Sequence, residues 1–227
     1  MKILICGEGQ HEIGNPTFWS DRRCEYIPTD GWMQPFIRQT LGNDVEINVI
    51  KRSELQILSR YRANRASGHG VKAMLAKQRA SSGEYNALIY MVDADSNNRA
   101  DWQEIVNQIE AGFQSSSGET ACIACVPMSA SESWMMADPS AWKSFANYDG
   151  SDLPPRPETI WGNRDDPAGG HPHRFFRRVC DEAGVADCTD TRAELARDTN
   201  LVTARANCPI SLEHFLYLLE SFQTSNE

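Results

Sequence analysis

ALIYMVDAD, residues 87–95, is an uncharged run that ends in two carboxylates, Asp93 and Asp95, with one small residue between them. An apolar run of this length without alternation has the form of a strand buried on both faces, as in a parallel sheet. KILIC (2–6) and ACIACVP (121–127) read the same way, and VEINVI (45–50) is a more alternating fourth. Helical stretches lie between them, at 32–41, 69–81 and 100–113. In the last, Trp102, Ile105, Ile109 and Phe113 follow the 3.6-residue period that marks one buried face. Strands alternating with helices predict an α/β layer architecture with a mainly parallel sheet.

After residue 148 the texture changes. DGSDLPPRPETIWGNRDDPAGGHP (149–172) is rich in Pro, Gly and Asp and reads as a long loop, with helices expected near 172–183, 190–197 and 209–222. The expected organisation is an α/β domain over 1–148, with a loop and helical C-terminal lobe over 149–227 packed on it.

With 227 residues, 41% of them hydrophobic, the chain has ample material for a core. It lacks the roughly 18 consecutive apolar residues of a membrane span. The apolar run in MKILICGEGQ is too short, with too little positive charge ahead of it, for a secretory signal. A cytoplasmic protein is expected. Seven scattered cysteines then argue against a disulfide framework. Cys122 and Cys125 form a C-x-x-C, but on a strand positions three apart face opposite ways, which disfavours a shared zinc.

The net charge of −9 excludes binding of naked nucleic acid by an overall positive field. Locally the balance reverses. From Leu55 to Gly83 there is no Asp or Glu, while Arg60, Arg62, Arg65, Lys72, Lys77 and Arg79 supply six positive charges. The segment reads either as a solvated helical face or as a phosphate-contacting surface.

Residues two apart on a strand share a face, so Asp93 and Asp95 are expected on one side where the strand runs out into a loop. Functional sites of open parallel sheets lie at such carboxyl ends. Two adjacent carboxylates need a shared proton or a divalent cation between them, and hard oxygen ligands suit Mg²⁺ or Mn²⁺. Glu8 stands at another strand end between Gly7 and Gly9, and Glu132 and Asp138 follow the strand at 121–127. Carboxylates at three strand ends point to one converging acidic cluster.

These features resemble the TOPRIM domain of topoisomerases, primases and OLD-type nucleases, whose pattern is a glutamate after the first strand and a D-x-D after a later one. The chain is most similar to a small TOPRIM-like family found beside AAA-type or ABC-type ATPase genes in bacterial defence loci. Members show E-G-x-T-E, then D-x-D, E-x-W-x-x-A-D and C-P-x-x-x-x-F-L. Here these are EGQHE (8–12), DAD (93–95), ESWMMAD (132–138) and CPISLEHFL (208–216), with His11 in place of the usual Thr and one residue more than the pattern between Pro209 and Phe215.

The resemblance implies a Rossmann-like TOPRIM domain and a Mg²⁺- or Mn²⁺-dependent nuclease. Glu8 would act as acid, base or ligand, and Asp93 and Asp95 would hold metal. Glu12 would bind a second metal or orient Glu8, and Glu132 would be the third acidic position. Asp138 reads equally as the cap of a helix starting at Pro139. One metal would activate water and another stabilise the leaving oxygen. Lys143, Arg174, Arg177, Arg178, His171 and His173 are lesser candidates for phosphate or metal. A separate ATPase chain is the implied partner, in an antiviral system. Two other readings are a D-x-D glycosyltransferase holding Mn²⁺ and a nucleotide sugar, and a non-catalytic adaptor for the ATPase.

Overall fold

The computed structural model describes residues 1–20, 25–56 and 68–225. Its centre is a four-stranded, all-parallel sheet of β1 (Lys2–Gly7), β4 (Glu46–Lys51), β5 (Ala87–Met91) and β6 (Ala121–Cys125), in the order β4-β1-β5-β6. Ile5 pairs with Val49 on one side and Ile89 on the other, and Ile89 pairs in turn with Ile123. The chain thus runs from β1 out to one edge and crosses back to the far side of β1. That reversal leaves the crevice at the carboxyl ends of β1 and β5 that serves as the binding position in open α/β sheets.

Alternation decides which side chain faces which layer. Ile3, Ile5, Ile89, Met91, Ile123 and Cys125 lie in one apolar cluster, and Leu4, Cys6, Leu88, Tyr90, Ala124 and Val126 in the other. The second layer is closed by α3 (Gly68–Ser82) and α4 (Arg99–Gln114), whose Trp102, Val106, Ile109 and Phe113 form the expected buried stripe. The first is closed by α2 (Met33–Leu41) and by the C-terminal helices α7 (Pro172–Glu182), α8 (Thr189–Asp198) and α10 (Ser211–Thr224). Cys122 and Cys125 face opposite layers, as strand geometry requires.

Several elements were not legible in advance. Asn15–Ser20 (β2) and Glu25–Thr29 (β3) pair antiparallel outside the main sheet. Each carries a proline, which is tolerated in such a ribbon and masks its strand character. The others are α1 (Gln10–Ile13), α5 (Glu132–Met135), α6 (Pro139–Ala146) and α9 (Leu201–Asn207). Asp138 does cap α6, its carboxylate accepting the N–H of Ser140 at 3.0 Å, and it also accepts the N–H of Asn200 at 2.7 Å.

The turn carrying Glu8 and Glu12 is fixed by close packing. A Cβ on Gly31 would sit 2.3 Å from the Glu12 carbonyl oxygen, and Trp32 N–H donates to the His11 carbonyl at 3.0 Å. Buried Gln34 bridges the same pair of segments, accepting from Gly31 N–H at 3.0 Å and donating to the Ile13 carbonyl at 2.6 Å.

No break in the core falls at residue 148. Leu212, Phe215 and Leu219 of α10 belong to the cluster that contains Ile3 and Ile5. Trp134 stacks on Phe215 with centroids 5.6 Å apart and meets Trp32 edge-on at 5.4 Å. The last motif, CPISLEHFL, is structural: Cys208 and Leu212 are buried, and the buried Glu158 carboxylate accepts the N–H groups of Ile210 and Ser211 at 2.8 and 2.9 Å.

Candidate acidic site at the carboxyl edge of the sheet

Asp93 lies just beyond the end of β5. Its Oδ1 is fully enclosed and has no hydrogen-bond partner among the described residues. Burial pushes its carboxyl well above the usual range, reinforced by the charges of Glu132, Glu12, Asp95 and Glu8, in falling order of effect. The charges of acids that follow three strand ends thus act on Asp93, although no three of their side chains form a metal-ligating group among the described residues. Asp95 does not share its setting. The strand stops at Met91, Asp95 takes a left-handed backbone conformation (φ 50°), and its side chain is exposed. The two-residue alternation on which the paired-carboxylate reading relied has lapsed by that point.

Glu132, the first residue of α5, is the most elaborately held acid. It is 2% exposed, and its Oε1 accepts from His173 Nδ1 at 2.6 Å and pairs with the Arg192 guanidinium at 2.8 Å. Burial acts to raise its pKa, but the His173 hydrogen bond and the Arg192 charge prevail and hold it at about 2. An ionised carboxylate accepts only, so His173 Nδ1 carries the proton of that bond. Glu132 Oε2 is buried without a partner among the described residues.

Arg192 is buried in turn. It grips Asp187 through two bonds of 2.8 and 3.2 Å and lies 4.9 Å over the Phe176 ring. Sequence reasoning passed over both Arg192 and Asp187. The one available signal was position: Arg192 stands three and four residues before Leu195 and Ala196, on the apolar stripe of α8. His173 and His171 stack at 5.2 Å, and Trp161 packs against His171 at 5.0 Å.

Glu8 is exposed and ion-paired with Arg52, which follows β4. Glu12 folds back on its own turn, with Oε2 accepting the N–H of Gly9 at 2.8 Å. A Cβ at Gly9 would come 2.8 Å from that oxygen, so this glycine leaves room for Glu12. His11 meets Thr189 Oγ1 at 3.2 Å, linking the first turn to α8. Burial lowers its pKa, helped by the Arg192 charge.

The basic segment divides. Arg60, Arg62 and Arg65 lie outside the described residues. Lys72 Nζ donates to the Arg52 carbonyl at 3.1 Å, near the acids. Lys77 Nζ donates to the Phe113 carbonyl at 3.0 Å, and Arg79 lies two residues further on. The end of α3 meets Lys2 through Gly83, at the amino edge of the sheet. Because α3 runs antiparallel to the strands, Lys77 and Arg79 stand at the end opposite the acids. Arg174 and Arg178 are engaged with the carbonyls of Arg164, Pro167 and Gly169, bracing the long loop.

Among the described residues, no three His, Cys, Asp or Glu side chains form a ready metal-ligating cluster. Asp93 Oδ1 and Glu132 Oε2 nevertheless supply two hard, buried oxygens without protein partners. That donor set fits Mg²⁺ or Mn²⁺, ions that bind one or two carboxylates and draw the rest of their shell from water or substrate. Among the described residues no helix is long and apolar enough to cross a membrane. No protein-family model matches the chain, and comparison with curated proteins and with solved structures finds no similar one.

Proposed function

We propose that the protein is a metal-dependent nuclease of TOPRIM type, cleaving phosphodiesters at the carboxyl edge of the sheet and working with a separate ATPase subunit. The observation that carries the reading is the pair of buried oxygens without a partner among the described residues, Asp93 Oδ1 and Glu132 Oε2, on carboxylates near enough for the Glu132 charge to act on Asp93. Evolved interiors leave few such atoms bare, and two carboxylate oxygens together ask for a cation.

In this reading Asp93 and Glu132 hold the ion. Once bound, it would polarise the phosphoryl group and lower the pKa of a water. The chain's own work is preorganisation. Arg192 and His173 keep Glu132 ionised and commit one of its oxygens, which fixes the direction of the other. Glu8, at the exposed mouth and paired with Arg52, is placed to exchange a proton with substrate or water. Lys72, early in α3, donates to the Arg52 carbonyl and adds positive charge on that side.

The test is cleavage of DNA and RNA in Mn²⁺ and in EDTA, by the chain alone and with any ATPase found encoded beside it. Metal-dependent cleavage that falls by about 10²-fold or more in Asp93→Asn is expected. Cleavage unaffected by that substitution, or by EDTA, would exclude the reading. Stabilisation by UDP or GDP with Mn²⁺ would point instead to glycosyl transfer.

A further inference from the structure

Of the tryptophans whose side chains are described, Trp32, Trp102, Trp134 and Trp142 are at most 3% exposed. Trp161, on the long loop before α7, is 39% exposed, and its place is fixed. Its ring lies 5.0 Å from that of His171, His171 stacks on His173 at 5.2 Å, and His173 Nδ1 donates to Glu132 at 2.6 Å. A row of three rings thus runs from the acidic centre to the surface and ends on Trp161. Burial lowers the pKa of His171, as do the charges of His173 and Arg164, while those of Asp95 and Glu132 act against them.

The loop that carries the ring is braced. Arg174 Nε donates to the Arg164 carbonyl at 2.6 Å, and Arg178 Nη1 to the carbonyls of Pro167 and Gly169 at 3.1 and 2.8 Å. A Cβ on Gly162 would sit 3.0 Å from the backbone nitrogens of Gly170 and His171, so the residue after Trp161 is pressed against the one its ring packs on. Arg164 is exposed beside Asp165 and Asp166, and this stretch offers phosphate no net positive charge. What it offers is a ring already in position, which takes a flat partner at little cost in ordering.

We infer that Trp161 is a stacking platform for one unpaired base of the strand whose phosphodiester meets the acidic centre, so that the substrate is single-stranded DNA or RNA. The inference rests on the nuclease reading above and names its substrate class. In a duplex each base is stacked between its neighbours, and Trp161 gains a partner only where a base is unstacked. Because every base has a π-face, little sequence preference is expected.

Short fluorescently labelled single strands of DNA and of RNA, and blunt duplexes of the same sequences, report binding by anisotropy in EDTA at low salt. Wild type should hold single strands more tightly than duplexes. Trp161→Ala should weaken single-strand binding by roughly fivefold to 150-fold, the scale of losing one base stack. Trp161→Leu, which keeps apolar cover on His171, should lose as much, and Trp161→Tyr, which keeps a ring, should retain most of the affinity. Thermal melts verify that each variant is folded.

Binding by Trp161→Leu equal to that of wild type, tighter binding of duplexes, or no binding by wild type would overturn the inference. Cleavage in Mn²⁺ separates it from the nuclease reading. Cleavage whose KM is unmoved in Trp161→Leu would remove the platform and leave the nuclease standing. Single-strand binding through Trp161 without any cleavage would leave the platform and remove the nuclease.

Discussion

Asp93 carries a charge that its surroundings oppose, since burial and four neighbouring carboxylates all favour its neutral form. Its replacement by the near-isosteric Asn should stabilise the metal-free protein. By the scaling for chains of this size, about 1 kcal/mol would raise the melting temperature in EDTA by about 2–4 °C. Saturating Mg²⁺ should raise the melting temperature of the wild type but not of the variant. An unchanged or lower melting temperature for Asp93→Asn in EDTA would show that the carboxylate is satisfied by means not visible in its contacts. Asp93 and Glu132 were legible because strand ends were legible. Arg192 was not, because Arg197 in the same helix is exposed and pairs with Glu194, and composition cannot tell two arginines of one helix apart.

The four parallel strands announced themselves through uninterrupted apolar runs, and the long amphipathic helices through their period. What escaped were elements whose stability comes from partners distant in sequence. The ribbon of β2 and β3 hides behind its prolines, and α5 is a single turn held by side chains from elsewhere in the chain. The start of α6 shows how such partners act. Asp138 accepts the N–H and the hydroxyl of Ser140 at 3.0 and 2.6 Å and the N–H of Asn200 at 2.7 Å, thereby serving two helix starts at once. Asp138→Ala should cost about 2 kcal/mol, more than a solvent-exposed cap, because it also strips the Asn200 N–H of its acceptor. A lower urea midpoint with an unchanged slope is the expected result. A midpoint equal to wild type would mean that water replaces the carboxylate at both sites.

Across the whole molecule, the shift in texture at residue 148 located a loop correctly and said nothing of the core, which continues through it. Leu212, Phe215 and Phe222 of α10 belong to the same layer as Ile3, Ile5 and Ile89, so a chain ending at 148 would bare a large part of one face of the sheet. A fragment of residues 1–148 should therefore aggregate or melt without cooperativity. A soluble, cooperatively unfolding fragment would instead establish an independent domain. The same continuity ties the acidic centre to the order in which the chain is made. Asp93 and Glu132 leave the ribosome well before Arg192 and Asp187, and until those last two arrive the Glu132 carboxylate has no guanidinium to settle against. A nascent chain, or one clipped before Asp187, thus holds the acids without the clamp that arrays them, and whatever chemistry they perform is deferred until Arg192 has been added.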